Sequence, residues 1–201
     1  NFVLLMALDS VHLIHPGCKV SSQRNNNFVP SGPALLGRII DGMGRPIDGK
    51  GPLLAPRREG FYAEPPNPLS RSMISEPFST GIKSIDTFIP MGVGQRIGIF
   101  SGSGVGKSIL LGMIARGSDS DINVISLVGE RGRELREFVE KDLGPEGMKK
   151  TVIVVSTSDQ PAPMRIRASI LATAIAEGFR NEGSKVLLLM DSLTRFAMAQ
   201  R

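Results

Sequence analysis

The sequence predicts an α/β fold in which a parallel sheet carries crossover helices. Three observations predict it. From Gly81 onward β-prone runs alternate with stretches of helical periodicity, the pattern of a parallel sheet. A β-prone run, a glycine-rich loop and an apolar-periodic helix follow one another between Arg96 and Arg116. Five consecutive apolar residues, Val186 to Met190, end on Asp191, as a strand buried on both faces ends on an acid at its C-terminal edge.

In chain order, residues 1–30 alternate short β-prone runs (Phe2–Leu5, Val11–Ile14) with turn signals at Pro16-Gly17 and Asn25–Asn27, which suits a small all-β unit. Residues 31–77 are punctuated by glycine and proline and read as an ordered connector, with one short strand at Leu36–Ile40. Residues 78–201 hold the α/β unit. Its strands are expected at Arg96–Phe100, Asn123–Val128, Thr151–Ser156 and Lys185–Met190, and its helices at Lys107–Arg116, Gly132–Asp142 and Met164–Arg180. The chain opens on Asn1 and closes on Arg201 with no cap or tail, and reads as an internal piece with its α/β unit incomplete.

Composition narrows the function classes. With 41% hydrophobic and 21% charged residues in 201, the chain has the makings of a packed core. Its longest apolar run falls far short of the roughly 20 residues a bilayer helix needs. The apolar patch Phe2–Leu8 lacks a basic flank and meets Asp9 at once, which argues against a cleavable signal. One cysteine, Cys18, excludes an internal disulfide. The net charge of +5 would permit a nucleic-acid partner, but the basic residues are scattered, there is no Trp, and Tyr62 is the only Tyr. No basic stripe with stacking aromatics emerges, so no nucleic acid is expected.

The most specific motif is Ser101-Gly102-Ser103-Gly104-Val105-Gly106-Lys107-Ser108. It fits the phosphate-loop pattern G-x-x-x-x-G-K-[ST] except that Ser101 stands in the first glycine's place. Glycines at 102, 104 and 106 allow turns in which successive N–H groups converge on phosphate oxygens. The helix that follows aims its positive end at the same charge. Residues 102–108 are therefore the nucleotide-binding candidates, with Lys107 reaching the β- and γ-phosphates and the Ser108 hydroxyl on Mg²⁺.

A phosphate-loop site also needs an acid at the end of a neighbouring strand to hold the metal, and Asp191 supplies it. The third piece is Val128-Gly129-Glu130-Arg131-Gly132-Arg133-Glu134. It follows a strand, so Glu130 and Arg131 should emerge at the same edge as the phosphate loop. There Glu130 can orient an attacking water and Arg131 can neutralise phosphate oxygens, against the plainer reading of a charged helix start. Glu134, Arg136, Glu137, Glu140 and Lys141 read as that helix's solvated face, and Leu135, Phe138 and Val139 as its buried one.

With these motifs placed, the chain resembles the hexameric ATPases of the rotary ATP synthase superfamily, and within them the type III protein-export ATPases, flagellar or injectisome. The stretches that carry the likeness are Leu36 to Gly49, Gly81 to Asp86, Gly94 to Phe100, Gly129 to Glu134 and Asp191 to Arg201. The likeness implies a RecA-like P-loop ATPase core, preceded by the end of an N-terminal β-barrel over residues 1–30. It implies ATP and Mg²⁺ as ligands, with Lys107, Glu130, Arg131 and Arg195 catalytic and Ser108 and Asp191 at the metal. Arg195 matches an arginine near the phosphate in synthase subunits, or else is a helix-face charge. The family's arginine finger and adenine-stacking aromatic would lie past Arg201.

The likeness further implies a cytoplasmic homohexamer, peripheral to a membrane export gate. Its partners would be stalk and regulator proteins and chaperone–substrate complexes. Ser156 to Ala162 resembles flagellar members. The alternatives are the catalytic subunit of a rotary synthase, or a subunit that binds nucleotide without hydrolysing it.

Overall fold

The computed structural model describes residues 5–8, 12, 14–21, 28–102 and 104–201. The expected runs Phe2–Leu5 and Val11–Ile14 fall largely outside these residues, and the Asn25–Asn27 turn and Ser103 fall entirely outside them. The turn at Pro16-Gly17 is present, closed by the Cys18 N–H donating to the His15 carbonyl at 3.1 Å.

The elements in chain order are β1 (Phe28–Pro30), β2 (Ile39–Asp41), β3 (Arg57–Glu59), β4 (Pro77–Phe78), α1 (Lys83–Phe88), β5 (Met91–Gly92), α2 (Lys107–Gly117), β6 (Ile122–Val128) and α3 (Gly132–Glu137). A π-helical turn (Phe138–Leu143), α4 (Gly144–Lys149), β7 (Thr151–Ser156), α5 (Ala162–Asn181), β8 (Val186–Asp191) and α6 (Leu193–Gln200) complete them. The main sheet is parallel, in the order β2-β7-β6-β8. β1 pairs antiparallel with β3, and β4 with β5.

All seven residues of β6 and all six of β7 are buried, because helices cover both faces of the sheet. The twofold alternation of strand side chains divides the core in two. Ile122, Val124, Val128, Val152 and Val154 face α5, meeting Ala168, Leu171, Ile175 and Phe179. Ile125, Leu127, Ile153 and Val155 face the other way, toward Leu111 and Ala115 of α2 and Phe138 and Leu143 of the π turn. Val29, Leu35, Ile40 and Phe61 join the α5 side, so residues on the N-terminal side of the phosphate loop are built into the same core.

A buried polar knot ties the strand entries to the helix ends. Asn123 of β6 donates to the Ala115 carbonyl at 2.8 Å and to Thr151 Oγ1 at 3.2 Å, and accepts from Ser120 Oγ at 2.7 Å. Thr151 Oγ1 in turn donates to the Gly147 carbonyl at 2.6 Å. Asn123→Ala strands these buried groups at a cost of about 1–3 kcal/mol each where no substitute partner is found. Urea unfolding should therefore show a loss on the order of 3 kcal/mol; an unchanged midpoint would mean that water replaces the amide.

Two expectations are corrected and a third is refined. Arg96–Phe100 forms no strand, since a strand exists through its hydrogen-bonded neighbour and no described residue pairs with this run; Phe100 is 95% exposed. The Val186–Asp191 strand is not buried on both faces. It is an edge strand paired only with β6 among the described residues, and its Leu188 is 37% exposed. The helix expected over Gly132–Asp142 is present but changes from α to π winding after Glu137, the Gly144 N–H reaching back to the Val139 carbonyl.

The connector strand is also shorter than Leu36–Ile40, because Gly37 takes a positive φ of 75° and its N–H bonds the Thr151 carbonyl before pairing begins at Ile39. Arg38 then forks onto Asp48, Nε to Oδ2 at 2.7 Å and Nη2 to Oδ1 at 3.1 Å. Burial alone would raise the Asp48 pKa. The Arg38 guanidinium and the Lys50 and Ile39 N–H groups overcome this and hold it well below the usual carboxylate range.

Candidate active site

In a parallel sheet all strands end on the same edge, where open α/β sheets bind ligands. Here that edge collects Gly129 and Glu130 after β6, Ser156 of β7, and Asp191 closing β8, which lies beside Leu127. The phosphate loop reaches it through α2.

Gly104 and Gly106 take φ of 77° and 93°, a conformation that side chains with a Cβ rarely adopt. Gly106 is the N-cap of α2 and accepts the first helical bond, from the Leu110 N–H at 2.9 Å. The N–H groups of the first turn therefore have no partner within the helix and point to where an anion would sit. Gly102 lies in open space with no positive φ.

Lys107 Nζ stands 2.8 Å from Asp191 Oδ1, whose side chain is only 7% exposed. A cavity of about 60 Å³ opens beside the pair. Ser108, Glu130, Glu134 and Asp191 supply its polar lining, and Leu127, Leu135 and Phe138 its apolar wall. Ser108 and Asp191 on one cavity offer a hydroxyl and a carboxylate, the hard oxygen donors that suit Mg²⁺ alongside phosphate and water. The residues present fit the ion.

Glu130 shares this cavity. Burial pushes its pKa up, to about 7, and hydrogen bonding to Glu134 adds to the rise; nearby Arg195 opposes it, and the Asp191 and Glu134 charges reinforce it. Glu134 is held low by the hydrogen bond with Glu130 and by the Arg131 N–H. Arg195 joins from α6, with Nε 3.3 Å from Glu130 Oε1 and Nη1 donating to the Gly129 carbonyl at 2.6 Å.

The sequence-derived candidates thus fall into one cluster of Lys107, Ser108, Glu130, Asp191 and Arg195. Arg131 stands outside it, 72% exposed and 3.9 Å from Glu134. Glu134, read from the sequence as part of a solvated face, is corrected to a cavity residue. The signal available for it was its place in the first turn of a helix that begins at the C-terminal edge of the sheet. There a carboxylate turns back toward the helix start, and Glu134 accepts the Arg131 N–H at 3.4 Å. The peptide between Asp191 and Ser192 is cis.

A family model described as ATP synthase alpha/beta family, nucleotide-binding domain, matches residues 81–201. The chain is 52% identical over 199 residues to the flagellum-specific ATP synthase of Treponema pallidum (strain Nichols), covering 99% of this chain and 44% of that protein. It is 52% identical over 173 residues to the type 3 secretion system ATPase of Xanthomonas euvesicatoria, covering 86% of this chain and 39% of that one. Among solved structures it is similar to the assembled ATPase EscN of enteropathogenic E. coli in complex with its central stalk EscO. The TM-score is 0.88 and the identity 50%, over 96% of this chain and 48% of that one. The chain spans less than half the length of these relatives. Among the described residues no helix is long and apolar enough to cross a membrane.

Proposed function

The chain belongs to the ATP synthase alpha/beta family, and from that premise we propose that the intact protein is a Mg-dependent ATPase that energises type III protein export, flagellar assembly before injectisome. The observation that carries the reading is the convergence of Ser108, Glu130 and Asp191 on one cavity at the C-terminal edge of the sheet, with Lys107 ion-paired to Asp191 beside it.

In this reading Lys107 leaves Asp191 for the β- and γ-phosphates, while the loop N–H groups and the start of α2 bind the remaining oxygens. Ser108 and Asp191 would hold Mg²⁺, which when bound neutralises phosphate charge. Glu130, once ionised, accepts a hydrogen bond from the attacking water and orients it in line. Arg131, exposed beside the cavity, is free to swing toward phosphate oxygens. The barrel end at residues 1–30, the connector at 31–77 and the ATPase unit at 78–201 are the matching division of the chain.

The resemblance of Ser156 to Ala162 to flagellar members supports the choice of system. An assembled EscN and its complex with EscO support a homohexamer around a stalk. Export regulators, chaperone–substrate complexes and a peripheral, cytoplasmic place at the membrane export gate complete the proposal. Phosphate release from Mg-ATP by the intact protein is the test. Nucleotide binding without turnover would make it a non-hydrolytic subunit.

A further inference from the structure

We propose that Arg195 is the positioning residue of Glu130, an inference that rests on Glu130 being the catalytic carboxylate. Its backbone is fixed first. Ser192 caps α6 and accepts the Arg195 N–H on its carbonyl at 3.1 Å and on its hydroxyl at 3.4 Å. Because β8 and β6 are neighbours in register, with Asp191 beside Leu127, the first turn of α6 faces the segment that carries Glu130.

The side chain then crosses to that segment and grips it at two places. Nη1 donates to the Gly129 carbonyl at 2.6 Å, and Nε lies 3.3 Å from Glu130 Oε1. One rigid, planar guanidinium therefore fixes both the peptide that precedes Glu130 and the carboxylate itself. The stem needs Gly129 to be a glycine: at φ 75° a Cβ there would sit 2.5 Å from Arg195 Cδ and 3.1 Å from its Cβ. From the other side, the Ser158 N–H donates to the Glu130 carbonyl at 3.0 Å. Glu130 is thus clamped between α6 and the turn that follows β7. Two of the three guanidinium nitrogens are committed to this segment, one on the Gly129 carbonyl and one on the Glu130 carboxylate, which is the arrangement of an orienting group. Asp191 and Arg195 lie in one short segment, so the metal-side acid and the clamp on the carboxylate move together.

The test is a double-mutant cycle in the intact protein with Arg195→Gln, Glu130→Gln and both. Losing the clamp misplaces the carboxylate, and a misplacement of about 1 Å costs roughly 10²-fold. Arg195→Gln should therefore lower kcat by about 10–10²-fold, with KM for Mg-ATP unchanged within about twofold. The double variant should be no slower than Glu130→Gln alone, because Arg195 acts through Glu130. A double variant that loses the product of the two single effects would overturn the proposal, as would a raised KM with kcat intact, the mark of a phosphate contact. If Arg195→Gln lowers the thermal midpoint, Arg195→Lys serves, keeping the stem over Gly129 while losing the fork, with the same split expected. Normal turnover by Glu130→Gln would instead remove the catalytic assignment itself, an outcome distinct from failure of the clamp.

Discussion

Lys107→Ala should abolish ATP hydrolysis by the intact protein and weaken Mg-ATP binding, the one substitution here expected to affect both. Lys107 is the only ammonium in the loop, and removing a charge aimed at the transferring phosphate costs about 10²–10³-fold in rate on its own. The substitution has a second consequence in this structure. It leaves the Asp191 carboxylate, 7% exposed and held at 2.8 Å by Lys107, without its partner. A buried charge without a partner is costly, so the nucleotide-free variant should also melt at a lower temperature. Calorimetric titration with Mg-ATP and a phosphate-release assay measure the first effect and thermal unfolding the second. Normal affinity and turnover would withdraw the phosphate-loop assignment.

Glu130→Gln should separate binding from chemistry. Size and shape are kept while the charge that orients the water is lost. Nucleotide affinity should hold, and kcat should fall by roughly 10²–10⁴-fold. The pH dependence follows with its sign. The Glu130 pKa is pushed up to about 7 by burial and by the hydrogen bond with Glu134, and the protonated form cannot accept from water. So kcat/KM, which reports the nucleotide-free protein, should rise with pH through about 7 and then level off.

Stability runs the other way. A carboxyl whose folded pKa lies above its unfolded value contributes stability that is fully present below the unfolded pKa and is lost as pH rises through about 7. Glu130→Gln carries no such liability. Its melting temperature should gain on that of the parent between pH 5 and pH 8, and a constant difference across that range would mean that Glu130 titrates as an ordinary exposed acid.

The parts of this site written in local pattern are legible in the sequence. Lys107 and Ser108 follow from glycine spacing, Asp191 from the end of an apolar run, and Glu130 from its place after a strand. Thr151–Ser156 reads correctly to the residue because a strand buried on both faces is a continuous apolar run. What stayed hidden depends on partners distant in sequence. Arg96–Phe100 has strand composition but finds no neighbour, and without a ladder β-propensity alone makes no strand. The π turn adds no signal to apolar spacing over so few residues, so Gly132–Asp142 reads as one helix. Glu134 looks solvated by periodicity, and only the fold brings Glu130 beside it. The clamp of Arg195 on Gly129 is likewise a contact between residues more than sixty positions apart.

The place of β2 in the sheet has a consequence for how the chain is made. Ile39 pairs with Ile153, so an outer strand of the main sheet leaves the ribosome long before the strand that will receive it. At the roughly 5–20 residues per second of protein synthesis, that interval is on the order of 5–25 s. For all of it Ile40, fully buried in the finished structure, has no sheet to enter. The β2 segment and the Leu35 and Phe61 side chains near it dock late, after β7 and α5 exist to cover them. Non-local pairing of this kind slows folding because a long loop must close before its contacts contribute. In the nascent protein this apolar stretch is open to chaperones, and to neighbouring chains on the same message.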